Sequence, residues 1–229
     1  MDVYLEIGQK KTFAGALDWP GWCRAGRVEA SALSALLACG PRYARIMERT
    51  GLEFHVPDST ASMHIVERLV GNATTDFGAP DAAPSSDLGR IAEEELRRFG
   101  VILQACWEAF DNATAAAAGI ELKKGPPGGG RELESITRHV LGAEQGYLSR
   151  LAWKTPKNAQ MNLNEEMRLT RQAIMDALAA AARGEIPESG PRGGVIWPAR
   201  YFVRRVAWHV LDHVWEIEDR AILYRPADL

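Results

Sequence analysis

The chain has 229 residues, 46% of them hydrophobic, which suffices for one large domain or two small ones with their own cores. Its 27 Lys and Arg stand against 30 Asp and Glu, and the resulting charge of -3 gives no overall attraction to nucleic acid or to an anionic membrane. The start, Met1-Asp2-Val3-Tyr4-Leu5-Glu6, lacks the basic residues and apolar run of a signal peptide, and no apolar stretch approaches the roughly 18 residues of a membrane span, so a cytoplasmic location without a membrane partner is expected.

The first 75 or so residues read as a small α+β unit, and a domain is expected over 1–80. Residues 3–7 and 11–17 have strand character, with Gly8-Gln9-Lys10 as the connection between them and Trp19-Pro20-Gly21 ending the second. A helix is predicted over 28–47, with Ala32, Leu33, Leu36 and Leu37 at helical spacing and a break or kink at Gly40-Pro41. Residues 52–56 and 64–70 resemble two more strands. Residues 71–87 are dense in turn formers and read as a linker.

From there the pattern is helical, and a second domain is expected over 87–229. Four helices are predicted over 87–118, with Ser86 or Asp87 as cap, 131–153, 164–183 with Asn164 as cap, and 199–224 after Pro198. The run Gly125-Pro126-Pro127-Gly128-Gly129-Gly130 separates the first two, and since no Lys-Ser/Thr follows it, it is a connection rather than a phosphate loop. Four helices of this length with no strand between them are what a four-helix bundle requires.

Three of the five histidines carry the functional signal. His209 and His213 are four apart on the last helix and project to one side, where both can reach one metal ion if His139, two helices earlier, supplies a third ligand. His139 lies in a row with Ser135, Gly142 and Gly146, small residues that leave room for a pocket between the helices. Glu216, one turn beyond His213, is the carboxylate best placed to orient a bound molecule or move a proton, and so is the candidate catalytic residue.

The segments Ile136-Thr137-Arg138-His139-Val140-Leu141-Gly142 and Arg204-Arg205-Val206-Ala207-Trp208-His209-Val210-Leu211-Asp212-His213 resemble the two histidine-bearing helices of the DinB/YfiT-like superfamily. The resemblance covers about 87–224. It implies a four-helix bundle, often a homodimer, that holds zinc, nickel or a related divalent ion through His139, His209 and His213. It also implies a thiol-dependent enzyme, in which the ion binds or activates a low-molecular-weight thiol for S-transfer to, or isomerisation of, a small electrophile. The turn after His213 reads Glu216-Ile217-Glu218-Asp219-Arg220, where many members carry further His or Gln, so two registers are open. In the first, His209 and His213 are the pair; in the second, His213 takes the first ligand position and Ile217 the second, leaving a degenerate site on a non-catalytic binding or assembly module. Residues 13–26 and the Ala-rich helix after them resemble the strand, Pro-Gly turn and helix of HicB-type domains, whose RNA-related partners come through their toxin. With no toxin or DNA-binding helix evident in this sequence, the resemblance implies a fold, no nucleic-acid partner is expected, and the unit is expected to serve dimerisation or to close one end of the bundle.

Plainer readings stand beside these. The three histidines can equally form a hydrogen-bond network with Asp212, Glu216 or Glu144, with no ion. His55 and His64 read as ordinary strand residues, Trp208 and Trp215 as core or dimer anchors, and the 93–98 charge run as a solvated helix face. Cys23, Cys39 and Cys106, odd in number and widely spaced, read as reduced thiols, and Cys106 as a buried small hydrophobe rather than a nucleophile.

Overall fold

The structure is a computed structural model that describes residues 1–124, 130–155, 161–190 and 193–221. It has an α+β N-terminal part followed by helices, in two compact units: Met1–Ala105 with Trp197–Trp208, and Cys106–Ile196 with His209–Leu229. Among the described residues, no helix is long and apolar enough to cross a membrane.

The first unit is built on a four-stranded mixed sheet in the order β3-β2-β1-β4, with β1 at Asp2–Ile7, β2 at Thr12–Ala16, β3 at Cys23–Gly26 and β4 at His64–Val70. β1 and β2 form the expected hairpin, closed where the Gly8 N–H donates to the Lys11 carbonyl at 2.9 Å. β4 runs parallel to β1, a pairing that needs a crossover, and α1 (Glu29–Met47) supplies it. α1 does not break at Gly40-Pro41. Gly40 is buried, and a β-carbon there would meet Val56 and Trp22, so close packing holds the helix across the hydrogen bond that Pro41 cannot donate.

Residues 52–56 are not the expected strand but coil. Their alternation places Phe54 against Trp19, Trp22 and Tyr43, with ring centroids 4.9, 4.9 and 5.0 Å away, so an aromatic cluster takes the place of a strand partner. β3 was not expected, since Cys23-Arg24-Ala25-Gly26 has little intrinsic strand preference and gains its conformation by pairing with β2.

Residues 71–87, read as a linker, are bound to the sheet. They contain α2 (Ala73–Phe77), capped by Asn72, whose side-chain oxygen accepts the Thr74 N–H at 2.7 Å. The buried Glu6 carboxylate accepts from the N–H groups of Asp81 and Ala82 at 2.9 and 3.0 Å and from the Thr75 hydroxyl. Asp87 does not cap a helix: it forms a buried ion pair with Arg204, and the next helix, α3 (Glu93–Ala116), begins after Gly89 at a φ of 91°. On the 93–98 run, Arg97 pairs with Glu93 as expected of a solvated face, whereas Glu95 is taken by Arg200 at 2.7 Å.

The second unit joins α4 (Leu133–Leu148) and α5 (Leu163–Arg183) with the later part of α3 (Glu93–Ala116) and of α6 (Ala199–Ala221). Its core contains Trp107, Phe110, Ile136, Val140, Ile174, Leu178, Val214 and Trp215. Trp107 on α3 donates to Glu144 on α4 at 2.6 Å, and Asp111 on α3 receives both terminal nitrogens of Arg171 on α5 at 2.7 and 2.9 Å. The cap of α5 lies two residues earlier than predicted. Asn162 is its cap, because Glu165 three residues on returns the hydrogen bond, an exchange that Asn164 with Met167 could not make. The Gly-rich run at 125–129 and the predicted end of the last helix at 222–224 lie outside the described residues.

Candidate metal centre

α4 and α6 bring His139, His209 and His213 together. On α6 the i, i+4 spacing stacks the last two rings with centroids 4.6 Å apart, and the His139 ring lies 5.0 Å from each. His209 and His213 are both 7% exposed, and His139 is half-buried. One ring nitrogen from each histidine falls within 4.8 Å of the others.

Finer geometry shows which nitrogens of His139 and His209 face each other. The Nε2 atoms of His139 and His209 are 3.2 Å apart. Two imidazole nitrogens on one tetrahedral ion, each about 2.0 to 2.1 Å from it, are separated by about 3.4 Å, so this spacing fits a shared divalent cation. His213 Nδ1 lies 2.7 Å from Glu216 Oε2. A carboxylate only accepts, so that nitrogen carries a proton, and in the neutral ring Nε2 then keeps the lone pair a metal needs.

Glu216 is itself held. Its Oε1 accepts from Arg220 Nη1 at 2.8 Å, and its carboxyl is lowered below the usual carboxylate range, chiefly by the bond from His213. His139 has its pKa lowered by burial first, then by the positive charge of Arg131, which favours the neutral imidazole that a cation requires. Neutral nitrogen donors with one carboxylate behind them suit zinc, nickel and similar borderline ions better than calcium or magnesium.

The expected space beside His139 is present but open. A β-carbon at Gly142 or Gly146 would meet nothing within 4 Å, and both glycines are exposed, so this flank is accessible surface rather than an enclosed pocket. Tyr147 is a neighbour of the site that the histidine spacing did not single out. It stands edge-on to His209 with centroids 5.8 Å apart, and its place eight residues after His139 on the same helix was the signal. Ile217, the second ligand position of the degenerate register, is an apolar core residue with no exposed surface.

Other residues take their plainer roles. His64 is exposed, 3.7 Å from Asp2, and His55 is exposed in coil. Trp208 packs with Phe13 and Cys23, and Trp215 is core. None of the three cysteines is in a disulfide and all are buried; burial pushes the Cys23 thiol up to about 12 and the Cys106 thiol well up, which makes both poor nucleophiles. Compared with known proteins, the chain has no significant match to a family model, a curated protein or a solved structure.

Proposed function

We propose that the helical unit is a DinB-like four-helix bundle in which His139, His209 and His213 hold one divalent ion, zinc or nickel, for thiol-dependent transfer to, or isomerisation of, a small electrophile. The observation that carries this reading is the convergence of three ring nitrogens, with a carboxylate behind one of them. When bound, the ion would supply a positive charge that lowers the pKa of a thiol from its free value of about 8.5.

The chain's own residues do the rest. Three neutral imidazoles leave the ion's charge uncancelled, and Glu216 holds the proton on His213 Nδ1 and so fixes the ring. The open flank at Gly142 and Gly146 admits the thiol and its substrate, and Tyr147 presents a phenol beside His209. As in the superfamily, the working form in this reading is a cytoplasmic homodimer acting on a small molecule. The test is turnover of electrophiles by the metal-loaded protein with common cellular thiols. Activity lost in His213→Ala and reduced in Glu216→Gln is the expected result; no turnover and no thiol binding by calorimetry would overturn it.

One observation favours a second reading. A separation of 3.2 Å between two imidazole nitrogens is also a hydrogen-bond distance, so His139 and His209 can share one hydrogen bond with no ion between them. In that case the bundle is a binding or assembly module without chemistry, and removal of metal by a chelator leaves its melting curve unchanged.

A further inference from the structure

Behind the three histidines runs a chain of contacts that ends on the backbone of the segment after α3. Glu216 Oε2 accepts from His213 Nδ1 at 2.7 Å, and Glu216 Oε1 accepts from Arg220 Nη1 at 2.8 Å. Arg220 is fixed at two further points: its Nε donates to the Lys123 carbonyl at 2.7 Å, and its own carbonyl accepts the Lys123 N–H at 3.1 Å. Its side chain is only 12% exposed and that of Glu216 28%, so neither is a free surface charge.

The spacing explains the relay. Residues 213, 216 and 220 recur at steps of three and four along one face of α6, so the imidazole, carboxylate and guanidinium stack in order toward the end of the helix. A cation there is also favourable to the helix dipole. Arg220 thus has one nitrogen for the carboxylate and another for the Lys123 carbonyl. Without it, Glu216 could rotate off His213 into water, and the ring could exchange its Nδ1–H tautomer for the Nε2–H form, which cannot ligate through Nε2.

We propose that Arg220 is a positioning residue for the histidine site: gripped by the backbone of Lys123, it holds Glu216 on His213 so that His213 presents a bare Nε2 toward His139 and His209. The proposal rests on the metal reading for its purpose, while its mechanism, control of a tautomer, can be read in protein stripped of metal.

The experiment has two arms on the full chain. In the first, nitrogen-15 NMR of histidine-labelled, metal-free protein reads the His213 tautomer, expected to be Nδ1–H in the native chain and a mixture in Arg220→Ala. In the second, competition with a chromophoric chelator reads zinc affinity, expected to fall about 10-fold in Arg220→Ala and 10- to 100-fold in Glu216→Gln. Arg220→Lys keeps the charge on Glu216 but gives up the planar fork that serves the Lys123 carbonyl as well. It should recover part of the tautomer and the affinity through the charge it keeps on Glu216, whereas no recovery is expected if Arg220 merely ties down the Lys123 segment. An unchanged His213 tautomer in Arg220→Ala, or zinc affinity within twofold of the native chain, overturns the proposal. Native protein that binds no zinc while its tautomer still responds to Arg220 removes the metal reading and leaves the positioning role in place.

Discussion

Arg204 Nε donates to both carboxylate oxygens of Asp87, at 3.0 and 2.8 Å, in a site where Asp87 has no exposed surface and Arg204 keeps 8%. The other two guanidinium nitrogens donate to the carbonyls of Ala16 and Leu17 at 2.8 and 2.7 Å, so one arginine of α6 closes the end of β2 and the segment before α3 together. Breaking this pair from one side strands a buried charge. Asp87→Ala is expected to cost roughly 3 to 5 kcal/mol in urea melts, whereas an apolar replacement of both partners costs less or nothing. A loss below about 1 kcal/mol in the single variant would mean that water reaches the guanidinium.

Glu144 is a buried acid of the opposite kind. One oxygen accepts from Trp107 Nε1 at 2.6 Å, the other has no hydrogen-bond partner among the described residues, and burial pushes the group up to about 7 against the pull of Arg171, which is committed to Asp111. The folded state therefore holds a proton that the unfolded chain releases near its ordinary value of 4.5. The stability this contributes is fully present below about pH 4.5 and is lost as the pH rises through about 7, an effect on the order of 3 kcal/mol. Glu144→Gln keeps an acceptor for Trp107 and cannot ionise, so it should match the native chain at pH 4 and exceed it at pH 8. Parallel stability curves over that range would show that Glu144 is hydrated.

Gly15 pairs with Tyr4 across the hairpin, and the ring lies over it: a β-carbon at Gly15 would sit 2.5 to 2.6 Å from three atoms of the buried phenol. Gly15→Ala is expected to cost about 1 to 3 kcal/mol through overpacking, and Tyr4→Leu in the same chain should relieve part of it. Thermal melts of the two single variants and the double variant measure the coupling, and full additivity would contradict it.

Residues with a strong local signal could be read from the sequence. His209 and His213 announced a shared face by spacing alone, the β1–β2 hairpin by two strand patterns about a glycine, and the helices after residue 93 by long apolar periodicity. What stayed hidden depends on partners distant in the chain. Asp87 looked like a cap because nothing local reveals Arg204, 117 residues away. Residues 52–56 alternate like a strand, yet Phe54 is claimed by the aromatic cluster, whereas β3 has almost no strand character and forms because β2 offers it an edge. At the site, Arg220 could be seen in the row of His213 and Glu216, but its anchorage on Lys123 comes from a segment 97 residues earlier.

The central claim is that His139, His209 and His213 ligate one ion, and metal content tests it most directly. Protein purified without a metal-affinity tag and equilibrated with zinc should carry close to one ion per chain by elemental analysis. It should lose that ion in His139→Ala, His209→Ala and His213→Ala alike, and melt at a lower temperature after chelation. Native protein that retains no zinc after desalting, and melts identically with and without chelator, would contradict the account and leave the three histidines as a hydrogen-bonded cluster.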